Sequence, residues 1–113
     1  MNKCLWPLEN GQTLEFTIYS PCSNWNKVAG LYIFAHNVDG QKWRALYIGQ
    51  TNDFSSRLPS HEKWDFAVQR GATHIHALVV SDECIRDLWE KRLIAHLQPQ
   101  LNDQYKSLLR KYA

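Results

Sequence analysis

Residues 28–49 read VAGLYIFAHNVDGQKWRALYIG, and this stretch sets the fold. Two apolar, aromatic runs, Val28 to His36 and Trp43 to Gly49, flank Asn37-Val38-Asp39-Gly40. β-Branched and aromatic residues suit strands. An Asp-Gly pair between two such runs predicts a hairpin, because a type I′ turn needs residues that tolerate positive φ. A two-residue turn at Asp39-Gly40 pairs Leu31 with Ile48, Ile33 with Leu46 and Tyr32 with Tyr47. Side chains alternate across a strand, so the first two pairs form a core face. The tyrosines then stand side by side on the other face, their Cβ atoms about 5 Å apart.

Upstream, Thr13 to Tyr19 alternates Leu14, Phe16 and Ile18 with Glu15, Thr17 and Tyr19, which is a strand pattern ended by Pro21 and Ser23-Asn24. Residues 1–27 are accordingly an N-terminal extension that adds an edge strand or packs over a sheet face. Residues 28–113 form the main domain. Downstream of the hairpin, Asn52-Asp53 cap a short helix holding Phe54, Arg57 and Leu58, which Pro59 interrupts. A second helix is predicted from His61 to Gln69 with Gly71 as its stop, and a third strand of the main domain from Thr73 to Val80. Ser81 or Asp82 caps a long helix running to Gln98, where Pro99 ends it. A last helix from Asp103 to Tyr112 carries a basic tail. The expected class is α+β: a small, mainly antiparallel three-stranded sheet, hairpin plus third strand, flanked by helices, to which the extension can add a strand.

The chain has 113 residues, one domain's worth, and its 44% hydrophobic content with five Trp, five Tyr and four Phe excludes general disorder. No stretch approaches the roughly 20 apolar residues of a membrane span, and the first residues lack a secretion-type apolar segment. A soluble, cytoplasmic protein is the expectation. Cys4, Cys22 and Cys84 are widely spaced and odd in number, which argues against a disulfide framework or a standard zinc site. The net charge is +2, yet residues 28–102 balance eight basic against eight acidic side chains. The excess lies at Lys106, Arg110 and Lys111. Sequence-independent DNA binding leans on many phosphate-facing cations, so charge alone does not point to nucleic acid.

The long helix holds one oddity. At about 100° per residue from Ile85, Leu93 falls at about 80°, Leu97 at about 120°, Glu90 at about 140° and Ile94 at about 180°. Ile85, Leu88, Trp89, Leu93 and Leu97 supply the apolar spacing, and Glu90 is flanked by apolar neighbours. A carboxylate there needs a partner, and Arg86, one turn earlier, is the ordinary structural choice.

Gly30-Leu31-Tyr32 in one strand and Tyr47-Ile48-Gly49 in the next resemble the GIY-YIG nuclease family. The likeness continues with Arg57 ten residues after the second tyrosine, His61 four residues later, a helical glutamate at Glu90, and Asn102 after Pro99. Together these span residues 28–102. Leu31 stands where the family usually has isoleucine, a volume-neutral exchange.

The resemblance implies metal-dependent hydrolysis of DNA phosphodiester bonds, with Tyr32, Tyr47, Arg57, His61 and Asn102 as catalytic candidates. Tyr32 or Tyr47 would help deprotonate a water. A phenol of ordinary pKa near 10 is a poor base at neutral pH and needs a nearby cation. Arg57 would grip the charged transition state. Glu90 would hold a single hard cation, Mg²⁺ (or Mn²⁺), which keeps most of its waters. His61 would orient water or a phosphate oxygen, although Pro59 leaves it open between that role and a solvated helix start. Asn102 would orient neighbours or contact the substrate backbone. Gly49 suits a close approach of substrate, and Trp43, Arg44 and Lys63 are candidate substrate contacts by stacking and charge. His74 and His76 share a face of the third strand and read as structural.

DNA is the implied partner. A homodimer or a partner protein would supply specificity, because residues 1–27 and 103–113 are short for that task. Free-standing members of the family occur in bacteria and their phages. The reading from another class is a GIY-YIG-fold module that binds nucleic acid or protein with weak or no turnover, which the neutral core would suit.

Overall fold

The computed structural model describes residues 2–40 and 42–102. The helix expected over 103–112, with its basic tail, lies outside them. Five strands, β1 (Lys3–Pro7), β2 (Thr13–Tyr19), β3 (Gly30–Asn37), β4 (Trp43–Thr51) and β5 (His74–Val79), form one antiparallel sheet in the order β1-β2-β5-β3-β4. The helices are α1 (Phe54–Arg57), α2 (Trp64–Gln69) and α3 (Glu83–Leu97), with a 3₁₀ turn at Leu58–Ser60. The α+β class is therefore as expected, but the sheet has five strands rather than three. The first 19 residues supply two strands and not an appendage. Trp6 donates its indole N–H to His76 Nδ1 at 2.9 Å in the core, and Glu9 pairs with Arg92 of α3 at 2.7 Å.

The hairpin register differs from the sum-of-79 pairing. The backbone N–H of Val38 bonds the Lys42 carbonyl at 2.8 Å, so the turn is one residue longer than the two-residue form. Asn37 and Asp39 side chains satisfy the N–H groups of Gly40 and Lys42, and Gly40 takes φ +87°. A bulge adds a second residue: Ala35 pairs with Ala45 and Phe34 with Tyr47, leaving Leu46 unopposed. Tyr32 therefore faces Gly49, and Tyr47 faces Phe34. Because the total slip is two residues, both tyrosines keep one face. Leu46 does not. The bulge turns it away from Ile33 and into the cluster around Tyr32 and Phe34.

Each sheet face has its own core. On one face Leu31, Ile33, Ala35, Ala45 and Ile48 pack with Trp6, Leu8, Phe16 and Leu93 of α3. On the other, Tyr32, Phe34, Leu46, Ile75 and Ala77 pack beneath Phe54, Leu58, Ala67 and Leu101. Asp53 caps α1 by accepting from Ser55 N–H, and Asp82 caps α3 by accepting from Ile85 N–H. Gln98 ends α3 in the left-handed conformation, φ 46°, just before Pro99. The buried stripe of α3 is centred on Leu93 and includes Arg86, while Ile85 and Leu88 are 41% and 53% exposed. One edge of the expected apolar stripe thus faces water, and a cation takes a buried place within the stripe.

Candidate active site

The β3–β4 face beneath α1 is lined by rings. Tyr32 and Tyr47 have centroids 6.3 Å apart, and His61 lies 5.4 Å from the first and 5.1 Å from the second. Pro59 does not send His61 outward. It sits inside the 3₁₀ turn, whose geometry tolerates proline near its start. The chain then leaves at His61 in an extended conformation that directs the ring inward, with its side chain fully buried. The second helix consequently begins at Trp64 and not at His61.

The His61 tautomer follows from its neighbours. The backbone N–H of Lys63 donates to Nδ1 at 3.0 Å, so this nitrogen carries no proton. Burial, aided by the nearby Arg57 charge, lowers the His61 pKa to about 4, so the ring is neutral at physiological pH. Its one proton is on Nε2, which donates to Tyr32 Oη at 2.8 Å. Tyr32 is therefore an acceptor toward His61, and its hydroxyl is also within bonding reach of Tyr47 and Arg57. Burial raises the pKa of both phenols; Arg57 opposes the rise, and the Glu90 carboxylate adds to it. A guanidinium and a carboxylate thus lie within electrostatic reach of both hydroxyls.

Arg57 ends α1, and Glu62 grips its fork through two bonds of 2.7 and 2.9 Å. This pairing holds the Glu62 carboxyl down at about pKa 2. Glu90, half-buried on α3, is raised by burial and receives a hydrogen bond of 3.0 Å from Gln50 Nε2. Arg86 is not its direct partner. Arg86 Nε donates instead to Gln50 Oε1 at 3.1 Å.

No family model matches the sequence, and no curated protein does. Solved structures do match the fold. The GIY-YIG N-terminal endonuclease domain of UvrC from Thermotoga maritima, bound to its catalytic magnesium ion, aligns with TM-score 0.56 and 26% identity over 69% of this chain and 86% of that one. An asparagine-to-alanine point mutant of the same domain aligns with TM-score 0.53 and 27% identity over 67% of this chain and 83% of that one. The chain has the fold of a GIY-YIG domain. Its two named triplets are Gly30-Leu31-Tyr32 and Tyr47-Ile48-Gly49, adjacent in the sheet as the fold requires.

Within this GIY-YIG domain the other expected positions separate. Gly49 is required by the protein itself, since a Cβ there would overlap the Tyr32 phenol that crosses it. The close approach is made by Tyr32, so Gly49 needs no substrate contact to account for it. Asn102 faces main chain: Nδ2 donates to the Ile48 carbonyl at 2.8 Å and Oδ1 accepts from Ile48 N–H at 3.0 Å. Leu101 N–H bonds the Leu46 carbonyl at 3.0 Å, so residues 101–102 cover the outer edge of β4. Asn102 thus ties the residues after α3 to the middle of the Tyr47–Gly49 segment. Trp43 is not brought to the tyrosines. It lies on the opposite face against His74 and His76, with centroids 5.2 and 4.5 Å away, because the bulge separates its alternation from that of Tyr47. Arg44 is exposed toward the hairpin turn, and Lys63 lies beside His61, whose ring its main chain orients.

Gln50 and Glu62 were not legible as site residues. Gln50 follows Gly49 directly and by alternation faces α3, but only the packing of α3 gives that position meaning. Glu62 adjoins His61, and nothing in its spacing marks it as the partner of Arg57.

The donor set fits one hard cation. Among the described residues no group of three or more His, Cys, Asp or Glu could enclose a metal, whereas Glu90 offers a half-buried carboxylate held in place by Gln50. A single carboxylate suits Mg²⁺, which keeps several waters. No helix among the described residues is long and apolar enough to cross a membrane.

Proposed function

We propose that this protein is a divalent-metal-dependent DNA endonuclease that hydrolyses phosphodiester bonds at the Tyr32–Tyr47 face. The supporting observation is the bond from neutral His61 to Tyr32, made within electrostatic reach of Arg57 and Glu90. A donor aimed at a phenolic oxygen stabilises the phenolate. His61 and Arg57 both act on Tyr32 in this sense; burial, Tyr47 and Glu90 act the other way and prevail in the free protein, so phenolate formation would need the cation as well.

After its own proton is lost to solvent, the Tyr32 phenolate would take the proton of the attacking water, a water would protonate the departing oxygen, and His61 would keep the phenolic oxygen aimed as charge develops. Tyr47, one diagonal step across the hairpin, would orient the water or a phosphate oxygen. Arg57 would offer its two terminal nitrogens to the non-bridging oxygens as the phosphorus becomes five-coordinate, after exchanging Glu62 for substrate. Glu90 would hold Mg²⁺ or Mn²⁺, which when bound supplies positive charge at the phosphate and lowers the cost of phenolate formation. Asn102 would act through Ile48, keeping Tyr47 and Gly49 in register.

The test is nicking of supercoiled plasmid, with a branched oligonucleotide duplex beside it, by purified protein in Mg²⁺ and in EDTA. Nicking in Mg²⁺ alone, reduced about 100-fold or more in Arg57→Ala and abolished in Glu90→Ala, is expected. DNA binding with no cleavage of either substrate, unchanged by both substitutions, would favour the non-catalytic module.

A further inference from the structure

Both hydrogens and the oxygen of the Gln50 side-chain amide have partners. One N–H reaches Glu90 Oε1 at 3.0 Å, and Nε2 also lies 3.1 Å from Asp87 Oδ1. An amide nitrogen has two hydrogens, so both are used. The amide oxygen accepts from Arg86 Nε at 3.1 Å. Arg86 is in turn buried, 6% exposed, and its Nη1 donates to the Val80 carbonyl at 3.1 Å. This fixes which way the amide points: reversal would place its oxygen against two carboxylates and its N–H groups against a guanidinium.

We infer that Gln50 is the positioning residue for the cation ligand Glu90, and that Arg86 sets Gln50. The inference rests on the endonuclease reading and names a part of its machinery. A glutamate on a helix is free to rotate, and its carboxylate can bind a cation through one oxygen or two. Gln50 holds Oε1 and so restricts rotation of the carboxylate, which fixes the direction it presents to a cation. It also separates Asp87 and Glu90, the two acids of α3 that it touches, by task. Asp87 accepts from Gln50 at Oδ1 and pairs with Lys91 Nζ through Oδ2 at 3.0 Å, so each of its oxygens already has a partner. Arg86 contributes its charge through the amide without a direct bond to Glu90, which would compete with the metal. The chain runs from the end of β5 through Arg86 and Gln50 to Glu90, and it ties α3 to β4 beside Gly49.

Partners that orient a metal ligand typically change metal affinity 10- to 100-fold when removed. The experiment is titration of the whole protein with Mn²⁺, following the free-ion signal by electron paramagnetic resonance, with thermal melts as folding controls. Wild type is expected to bind one ion, and Glu90→Gln to abolish that binding. Gln50→Met keeps the length and loses the hydrogen bonds, and should raise the dissociation constant at least tenfold. Gln50→Ala should do the same, and Asp87→Asn should bind as wild type does. In nicking assays the Mg²⁺ needed for half-maximal rate should rise similarly in Gln50→Met, with the rate at saturating Mg²⁺ within a few-fold of wild type. Folded Gln50 variants that bind Mn²⁺ as tightly as wild type would overturn the inference and leave the endonuclease reading intact. Asp87→Asn losing the ion as completely as Glu90→Gln would also overturn it. Wild type binding no ion would overturn the endonuclease reading, and the inference with it.

Discussion

Glu62 holds both terminal nitrogens of Arg57, Nη1 through Oε2 at 2.7 Å and Nη2 through Oε1 at 2.9 Å. These are the donors a phosphate would need, so substrate and Glu62 compete for one fork. The Glu62 side chain is 64% exposed, and an ion pair in water is worth at most about 1 kcal/mol. Glu62→Gln is therefore expected to tighten DNA binding by up to about fivefold, measured by fluorescence anisotropy in EDTA. Weaker binding by this variant would mean that Glu62 presents Arg57 to the substrate and does not screen it.

Acid should loosen the fold through two histidines. Burial lowers His61 and His76 to about pKa 4 each, against an ordinary value near 6.5. Between these values the unfolded chain takes up protons that the folded one refuses, so stability is complete above about pH 6.5 and falls as pH drops toward 4. The slope has an upper limit of about 1.4 kcal/mol per pH unit for each histidine. Thermal melts at pH 7 and pH 5 should show the loss. His76→Gln, which keeps an acceptor for Trp6, should make it shallower; an unchanged slope would remove His76 from the account.

Gly49→Ala tests the crossing of Tyr32 over β4. Its methyl group would overlap the phenol, and a tight core resists such additions at a cost of about 1–3 kcal/mol. Displacement of Oη from His61 should reduce nicking more than tenfold in a variant that still melts cooperatively. Activity equal to wild type would show that Tyr32 need not hold this position.

Asn102→Ala leaves the Ile48 N–H and carbonyl without their partners on the edge strand. A part-buried pair so exposed costs about 1–3 kcal/mol, a fall in Tm of several degrees for a domain of this size. Nicking should fall with it, because Ile48 lies between Tyr47 and Gly49. Asn102→Asp, which accepts from Ile48 N–H and cannot donate to the carbonyl, should fall between the two.

The local elements were readable where local chemistry decides them. Asp53 and Asp82 cap helices because a short acceptor side chain meets free N–H groups, and Pro99 stops α3 because it has no N–H to give. Tyr32 and Tyr47 share a face because strand alternation has period two, which a slip of two residues does not disturb. What the order of residues could not settle was any quantity dependent on an extra residue or on a distant element. The added turn residue and the Leu46 bulge moved the pairing from Tyr32–Tyr47 to Tyr32–Gly49, and a propensity scale does not count them. β1 pairs only with β2, the edge that becomes available once the sheet exists. His61 turns inward because a ring-lined space on β3 and β4 accepts it. Gln50, Glu62 and Arg86 acquire their partners only when α3 and the 3₁₀ turn close on the sheet. Residue chemistry and strand parity are properties of neighbours along the chain and could be read from it; the hydrogen-bond partners of the site depend on contacts between residues up to 54 positions apart in sequence, and these exist only in the folded protein.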